Sequence, residues 1–301
     1  MMTQQNQAEE RAGQGQALPL QHVAKTAFIS LLKQRWQEGY AVCVGLDSDY
    51  EQLPAAVKKV GSVEEAIFTF NREIIDATHD LVCAYKPNIA FYEAQGDAGY
   101  RALMRTVHYI KETYSHLPVI LDAKRADIGS TNAGYVAAVF DVIGADAVTV
   151  HPYLGREALA PFLARKEKGI LVLVKTSNPG SGELQDLPVG EEQEPLYQVV
   201  ARHVAQSWNI HGNCAIVVGA TYPAELARVR AIVGDMPILI PGIGTQGGEV
   251  AATVNAGKNS RGQGMIIGAS RSIIFASRGT DFAQAARRAT EQLDAEIRHS
   301  K

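Results

Sequence analysis

Short apolar runs rich in β-branched residues recur along this chain, each followed by a segment of helical length. The runs are Ala41–Leu46, Leu81–Tyr85, Val119–Leu121, Ala147–Val150, Ile170–Val174, Ala215–Val218, Pro237–Ile240 and Met265–Gly268. They lack regular polar–apolar alternation, as expected of parallel strands buried on both faces. Between them, Val63–Thr78 carries Ala66, Ile67, Phe70, Ile74 and Ile75 along one helical stripe. The segments Gly99–Tyr114, Gly134–Ile143, Glu157–Lys168, Leu196–Trp208 and Ala224–Val233 behave similarly. Eight strand–helix units without a domain-sized linker predict an α/β chain folded as one (β/α)8 TIM barrel over residues 23–301. A doubly wound open sheet is the alternative. Residues 1–22, rich in Gln, Ala, Gly and Glu, predict a mobile tail. They show no basic stretch followed by an apolar one, so they do not read as a secretory signal.

Composition narrows the function mainly by exclusion. The 301 residues are 46% hydrophobic and 20% charged, with a formal net charge of −3. That charge argues against broad binding to nucleic acid or anionic membranes. No apolar run approaches the roughly 20 residues needed to span a bilayer. Cys43, Cys83 and Cys214 lie inside apolar runs, with neither metal-type spacing nor a C-x-x-C pair. They predict buried, reduced thiols, no metal centre and a cytoplasmic location.

A barrel carries its chemistry at the C-terminal ends of its strands, and those ends are polar here. Asp47 follows the first run, Lys86 and Asn88 the second, and Asp122, Lys124 and Asp127 the third. His151 follows the fourth, Lys175, Thr176 and Ser177 the fifth, Gln246 the seventh and Arg271 the eighth. In Leu121-Asp-Ala-Lys-Arg-Ala-Asp-Ile-Gly-Ser-Thr131, strand periodicity puts Asp122 and Lys124 on one face, with Asp127 just beyond. A salt-bridge network is the plain reading. Lys86 from the neighbouring strand makes the group a four-charge centre, and mutually perturbed charges of this kind mark functional sites. The long segment Asn178–Pro195 predicts a lid over the mouth.

Pro241-Gly-Ile-Gly-Thr-Gln-Gly-Gly248 contains a literal G-x-G-x-x-G. A dinucleotide fingerprint would sit in the first βα unit with an acid about 20 residues on, and this one sits at the seventh. Loops after the last two strands of a barrel commonly bind phosphate. Glycines let backbone N–H groups approach an anion, Gln246 can donate a further bond, and Arg271, after Gly268, can fork onto two phosphate oxygens.

The D-A-K-R-A-D-I-G-S-T stretch resembles the D-x-K-x-x-D signature of the orotidine 5′-phosphate decarboxylase family. Gly45-Leu-Asp47, Lys86-Pro-Asn-Ile-Ala-Phe-Tyr-Glu93, Val150-His-Pro-Tyr-Leu-Gly155, Pro241-Gly-Ile-Gly-Thr-Gln246 and Gly268-Ala-Ser-Arg271 are also similar to that family, to its longer-chain bacterial branch in particular. The resemblance runs from about residue 41 to 275. It implies cofactor-independent decarboxylation of orotidine 5′-monophosphate to uridine 5′-monophosphate (UMP) in pyrimidine biosynthesis. By position it implies Lys124 as proton donor to C6 and Asp122 beside the substrate carboxylate. Lys86 and Asp47 would hold the ribose hydroxyls and the charge network, and Ser177 would read the pyrimidine edge. Pro241, Gln246, Gly268 and Arg271 would form the phosphate grip. It implies a homodimer in which Asp127, with Ile128 and Thr131, enters the partner's site. Two other readings stay open: a Mg²⁺-dependent sugar-phosphate decarboxylase or aldolase with the same signature, and a non-catalytic nucleotide-phosphate sensor.

Overall fold

The apolar runs do become strands. The computed structural model describes residues 27–243 and 247–301. The strands are β1 Val42–Leu46, β2 Ala84–Pro87, β3 Ile120–Arg125, β4 Ala147–Val150, β5 Gly169–Lys175, β6 Cys214–Val218, β7 Ile238–Pro241 and β8 Met265–Ala269. They form one parallel eight-stranded sheet in the order β2-β1-β8-β7-β6-β5-β4-β3. Two isolated parallel bridges, Tyr85 with Val119 and Asn88 with Asp122, join its outer strands. An open doubly wound sheet would leave those strands remote from each other, so the fold is a single-domain (β/α)8 barrel.

Two strands run further than their apolar stretches. β2 continues through Lys86 and Pro87, which pair with Gly45 and Leu46. β3 continues through Asp122 to Arg125. Both extensions carry charge because they reach the barrel mouth, and hydrophobicity cannot report a strand whose end is charged.

The interior is filled by Cys43, Ala84, Ile120, Ala147, Leu171, Ala215, Val217, Leu239 and Ile266. Its N-terminal side is sealed by helix α1, Phe28–Gln37, which packs Phe28, Leu32 and Trp36 against that core. The Trp36 indole N–H donates to the Met265 carbonyl at 2.8 Å. At the start of β5, a Cβ on Gly169 would stand 2.2 Å from a Phe28 ring carbon, so only glycine admits the plug. The 28/31/32/35/36 spacing of α1 was available as a signal, but the sequence reading assigned no helix there.

The outer layer comprises α2 Val63–Thr78, α3 Gly96–Thr113, α4 Gly129–Val136, α5 Gly155–Leu163, α6 Leu196–His203, α7 Pro223–Val233, α8 Gly247–Gly257 and α9 Phe282–His299. α4 and α6 each pass into a π-helical turn, at Ala137–Val142 and Val204–Trp208. Helix α2 buries the predicted stripe, and the Ser62 hydroxyl caps it by accepting the Glu65 N–H at 3.2 Å. Cys43, Cys83 and Cys214 are buried free thiols. No helix among the described residues is long and apolar enough to cross a membrane. The expected tail at 1–22 and the phosphate-loop residue Gln246 lie outside the described residues.

Candidate active site

Four charged side chains from three neighbouring strand ends line up in the barrel mouth. Asp47 follows β1, Lys86 is the penultimate residue of β2, and Asp122 and Lys124 belong to β3. Lys86 Nζ lies 3.0 Å from Asp122 Oδ2 and 4.0 Å from Asp47 Oδ1. Lys124 Nζ lies 2.7 Å from Asp122 Oδ1. The array grades from buried to open: Lys86 is 6% exposed and Asp122 9%, whereas the Lys124 side chain is 50% exposed.

The sign alternation decides the protonation of its buried members. Burial alone would raise the Asp122 pKa, but the Lys86 and Lys124 ammonium groups outweigh it and hold the carboxyl well below the usual carboxylate range. Burial alone would lower the Lys86 pKa, but Asp122 and Asp47 reverse this and push it up to about 12. Two fixed opposite charges thus stand behind one accessible ammonium.

Asp122 and Lys124 meet, but not through strand alternation. Pairing of β3 with β4 shifts between Leu121 and Arg125, and Lys124 has a φ of +46°. That left-handed conformation costs a non-glycine residue about 1–2 kcal/mol, so something must hold it. Thr149 does. Its hydroxyl accepts the Ala123 and Lys124 backbone N–H groups, each at 3.0 Å, and donates to Asp122 Oδ1 at 2.9 Å. Sequence reasoning missed Thr149; the signal was a lone hydroxyl within the apolar strand Ala147–Val150. Thr149→Val leaves two N–H groups without their acceptor and the bulge unsupported. We expect a loss of about 1–3 kcal/mol in urea unfolding and roughly tenfold in kcat. An unchanged kcat would show that the bulge holds itself.

Within this chain Asp127 stays apart from the array. Its carboxylate Oδ1 accepts the neighbouring Ile128 N–H at 2.6 Å, and its backbone is clasped by Asn132. Buried Asn132, also missed from sequence, further donates to the Ala158 carbonyl at 2.5 Å. The four-charge centre is therefore Asp47, Lys86, Asp122 and Lys124, with Asp47 in the place the sequence reading gave to Asp127. Ile128 is 59% exposed, and Thr131 is exposed on the first turn of α4.

Across the mouth the ends of β5 to β8 crowd together. A Cβ on Gly219 would meet Ser177 Cβ at 2.7 Å, and one on Gly242 would lie 3.9 Å from Ser177 Oγ. One on Gly268 would lie 3.4 Å from Pro241 Cα. These glycines bring exposed Ser177, half-buried Pro241 and buried Gly268 together on one side of the mouth. Arg271 begins a one-turn helix, Arg271–Ile274. It is exposed and makes no ion pair among the described residues. His151 uses its backbone N–H on the Arg125 carbonyl at 3.2 Å.

The segment 178–195 has structure of its own. It contains a helical turn, Gly182–Gln185, and a hairpin of Pro188–Val189 with Glu194–Pro195. Asp186 pairs at 2.7 Å with Lys175, a side chain only 2% exposed. Gln185 Oε1 accepts the Thr176 N–H at 2.9 Å, and its Nε2 donates to the Thr176 hydroxyl at 2.8 Å. Opening this segment would leave the Lys175 charge without its counterion. Among the described residues no three His, Cys, Asp or Glu side chains are grouped to hold a metal ion.

The relatives of this chain share its architecture and length. The family model for "Orotidine 5′-phosphate decarboxylase / HUMPS family" matches residues 40–289. The orotidine 5′-phosphate decarboxylase of Cellvibrio japonicus is 51% identical over 272 residues, 90% of this chain and 98% of that protein. That of Janthinobacterium sp. is 50% identical over 273 residues, covering 89% and 97%. Among solved structures, the Leishmania donovani OMP decarboxylase superposes with a TM-score of 0.77 at 37% identity, covering 92% of this chain and 100% of that one. With a matched barrel, a matched length and the charged array at its mouth, this chain belongs to the orotidine 5′-phosphate decarboxylase / HUMPS family.

Proposed function

We propose that this chain decarboxylates orotidine 5′-monophosphate to UMP and CO2 with its own side chains and no cofactor. The observation that carries the reading is the Asp47–Lys86–Asp122–Lys124 array, which ends in an accessible ammonium. Loss of CO2 leaves an electron pair at C6, in the plane of the ring and out of conjugation with it. Acceleration of such a reaction by about 10¹⁷-fold corresponds to roughly 23 kcal/mol. One charge pair at 4 Å supplies about 4 kcal/mol at an effective dielectric near 20. The reading therefore needs an array rather than one residue.

In this reading Lys124 stabilises the developing carbanion and delivers its proton to C6. Asp122 lies against the substrate carboxylate and holds Lys124 in line. Lys86 keeps Asp122 ionised, and Asp47 Oδ1, buried without a hydrogen-bond partner among the described residues, accepts from a ribose hydroxyl. Ser177 bonds the pyrimidine edge. Pro241, Gln246, Gly268 and Arg271 take the phosphate, whose binding energy offsets the cost of bringing the reacting end into register. Asp127, Ile128 and Thr131 serve the partner's site in a homodimer, a role supported by exposed Ile128 and by Tyr153, 85% exposed, after the neighbouring strand. The free buried thiols agree with a cytoplasmic location.

The rival within the family, metal-assisted chemistry on a sugar phosphate, needs acids at adjacent strand ends. Here the end of β2 presents Lys86 and β4 leads into His151. Loss of orotidine 5′-monophosphate absorbance, with and without EDTA, tests the proposal. Full turnover in EDTA is expected, and no turnover under either condition would overturn it.

Two further outcomes follow. Arg271→Ala is expected to weaken UMP by about 10- to 100-fold, the loss of one charged bidentate contact. Uridine binding should change little; equal losses for both would remove Arg271 from the phosphate site. Mixed Lys124→Ala and Asp127→Ala chains are expected to regain activity, since a heterodimer has one site with both residues intact. No regain despite demonstrated subunit exchange would reject the shared site.

A further inference from the structure

Behind Asp47 lies a polar cluster that the proposed chemistry does not use. Ser48, Asn71, Tyr92 and Thr106 are each no more than 1% exposed. They come from the turn after β1, from α2, from the short helix Ile89–Glu93 and from α3. The Asn71 amide nitrogen donates to the Tyr92 and Thr106 hydroxyls at 3.0 Å each, and its oxygen accepts from the Ser48 hydroxyl at 2.5 Å. Tyr92 passes its own proton to the Leu46 carbonyl at 2.9 Å, and Thr106 to the Ala102 carbonyl at 2.8 Å. An amide has two N–H donors and each hydroxyl one, so every donor in the cluster is used. Buried polar groups rigidify their surroundings when satisfied in this way.

The cluster grips Leu46 and Ser48, the residues on either side of Asp47. Asp47 has no comparable hold on its own side chain. Its Oδ1 has no hydrogen-bond partner among the described residues, and Lys86 Nζ stands 4.0 Å away. The carboxylate is aimed by its backbone, and the backbone is held by the cluster and by the Asp49 N–H on the Asp47 carbonyl at 2.8 Å.

We infer that Asn71, Tyr92 and Ser48 are positioning residues that set a preference for ribonucleotides over deoxyribonucleotides, acting through Asp47. The inference rests on the reading of Asp47 as acceptor for a ribose hydroxyl. A buried acceptor left without a partner penalises any ligand that brings no donor. That penalty depends on the acceptor being held still, because a mobile carboxylate can turn to water or to Lys86 instead.

The test is equilibrium binding of UMP, 2′-deoxy-UMP and 3′-deoxy-UMP to the wild-type protein and to Asp47→Ala, Tyr92→Phe and Ser48→Ala. The wild type is expected to bind at least one deoxynucleotide weaker than UMP by on the order of 10²-fold. Asp47→Ala should erase that ratio. Tyr92→Phe and Ser48→Ala should each shrink it about tenfold, the effect of one lost hydrogen bond, with deoxynucleotide affinity unchanged or improved. General damage to the fold would weaken all three ligands together. A ratio lost in Asp47→Ala yet intact in both Tyr92→Phe and Ser48→Ala overturns the inference and leaves Asp47 in its role. A ratio absent from the wild type, or surviving in Asp47→Ala, overturns both.

Discussion

Lys124→Ala is expected to lower kcat by at least about 10⁴-fold while UMP still binds. Proton delivery by a positioned side chain contributes about 10²–10⁴-fold, and one preorganised electrostatic contact about 10²–10³-fold. The proposal gives both tasks to one ammonium. The residue is half-exposed and sits on a bulge held by Thr149, so its truncation should not unfold the barrel. UMP has no carboxylate at C6 and should lose little affinity. Single-turnover assays and UMP titration separate the two effects, and a kcat near wild type would remove Lys124 from the chemistry.

Asp122→Ala is expected to damage stability and turnover together. It removes the nearest counterion of buried Lys86, whose remaining partner, Asp47, stands at 4.0 Å. Breaking a buried pair by deleting one partner costs about 3–5 kcal/mol, because the surviving charge stays buried. Urea unfolding measures this directly, and a loss below about 1 kcal/mol would mean that the surroundings re-solvate Lys86. The penalty should also depend on pH. The Asp122 pKa is lowered on folding, so its contribution is complete above the ordinary carboxylate value near 3.9 and fades as pH falls below it. The Lys86 pKa is raised, so its contribution is complete below the ordinary value near 10.4 and is lost as pH rises through about 12. The difference between wild type and variant should therefore be flat from about pH 5 to 10 and shrink beyond either end. A penalty that persisted unchanged at pH 3 would contradict the pairing.

Several features of this site were legible without coordinates because they are properties of local order. Apolar runs such as Ala147–Val150 mark buried strands wherever they occur, and the strand-to-mouth rule of a barrel then points to Asp47, Lys86, Asp122 and Lys124. The same reasoning under-read β2 and β3, whose extensions carry the buried charges Lys86 and Asp122. Burial there is stabilised by counterions from other strands rather than by apolar character. It passed over α1, whose Phe28 fits only against a glycine in β5, Gly169. The lid expected at 178–195 has internal structure that composition does not report: a helical turn and a hairpin, anchored by Lys175, 11 residues away from Asp186 in sequence.

Sequence by itself determined the eight-unit barrel, the charged mouth and the residue types available for decarboxylation, because periodicity and strand-end polarity are written within a few consecutive residues. Only the tertiary structure decided how those charges are joined. It paired Asp122 with Lys86, 36 residues away, and with Thr149, 27 residues away. It turned Lys124 onto a bulge and kept Asp127 out of its own chain's array. These are consequences of barrel closure, which brings separate strand ends within hydrogen-bond distance, and no local pattern encodes which distant partner will stand there.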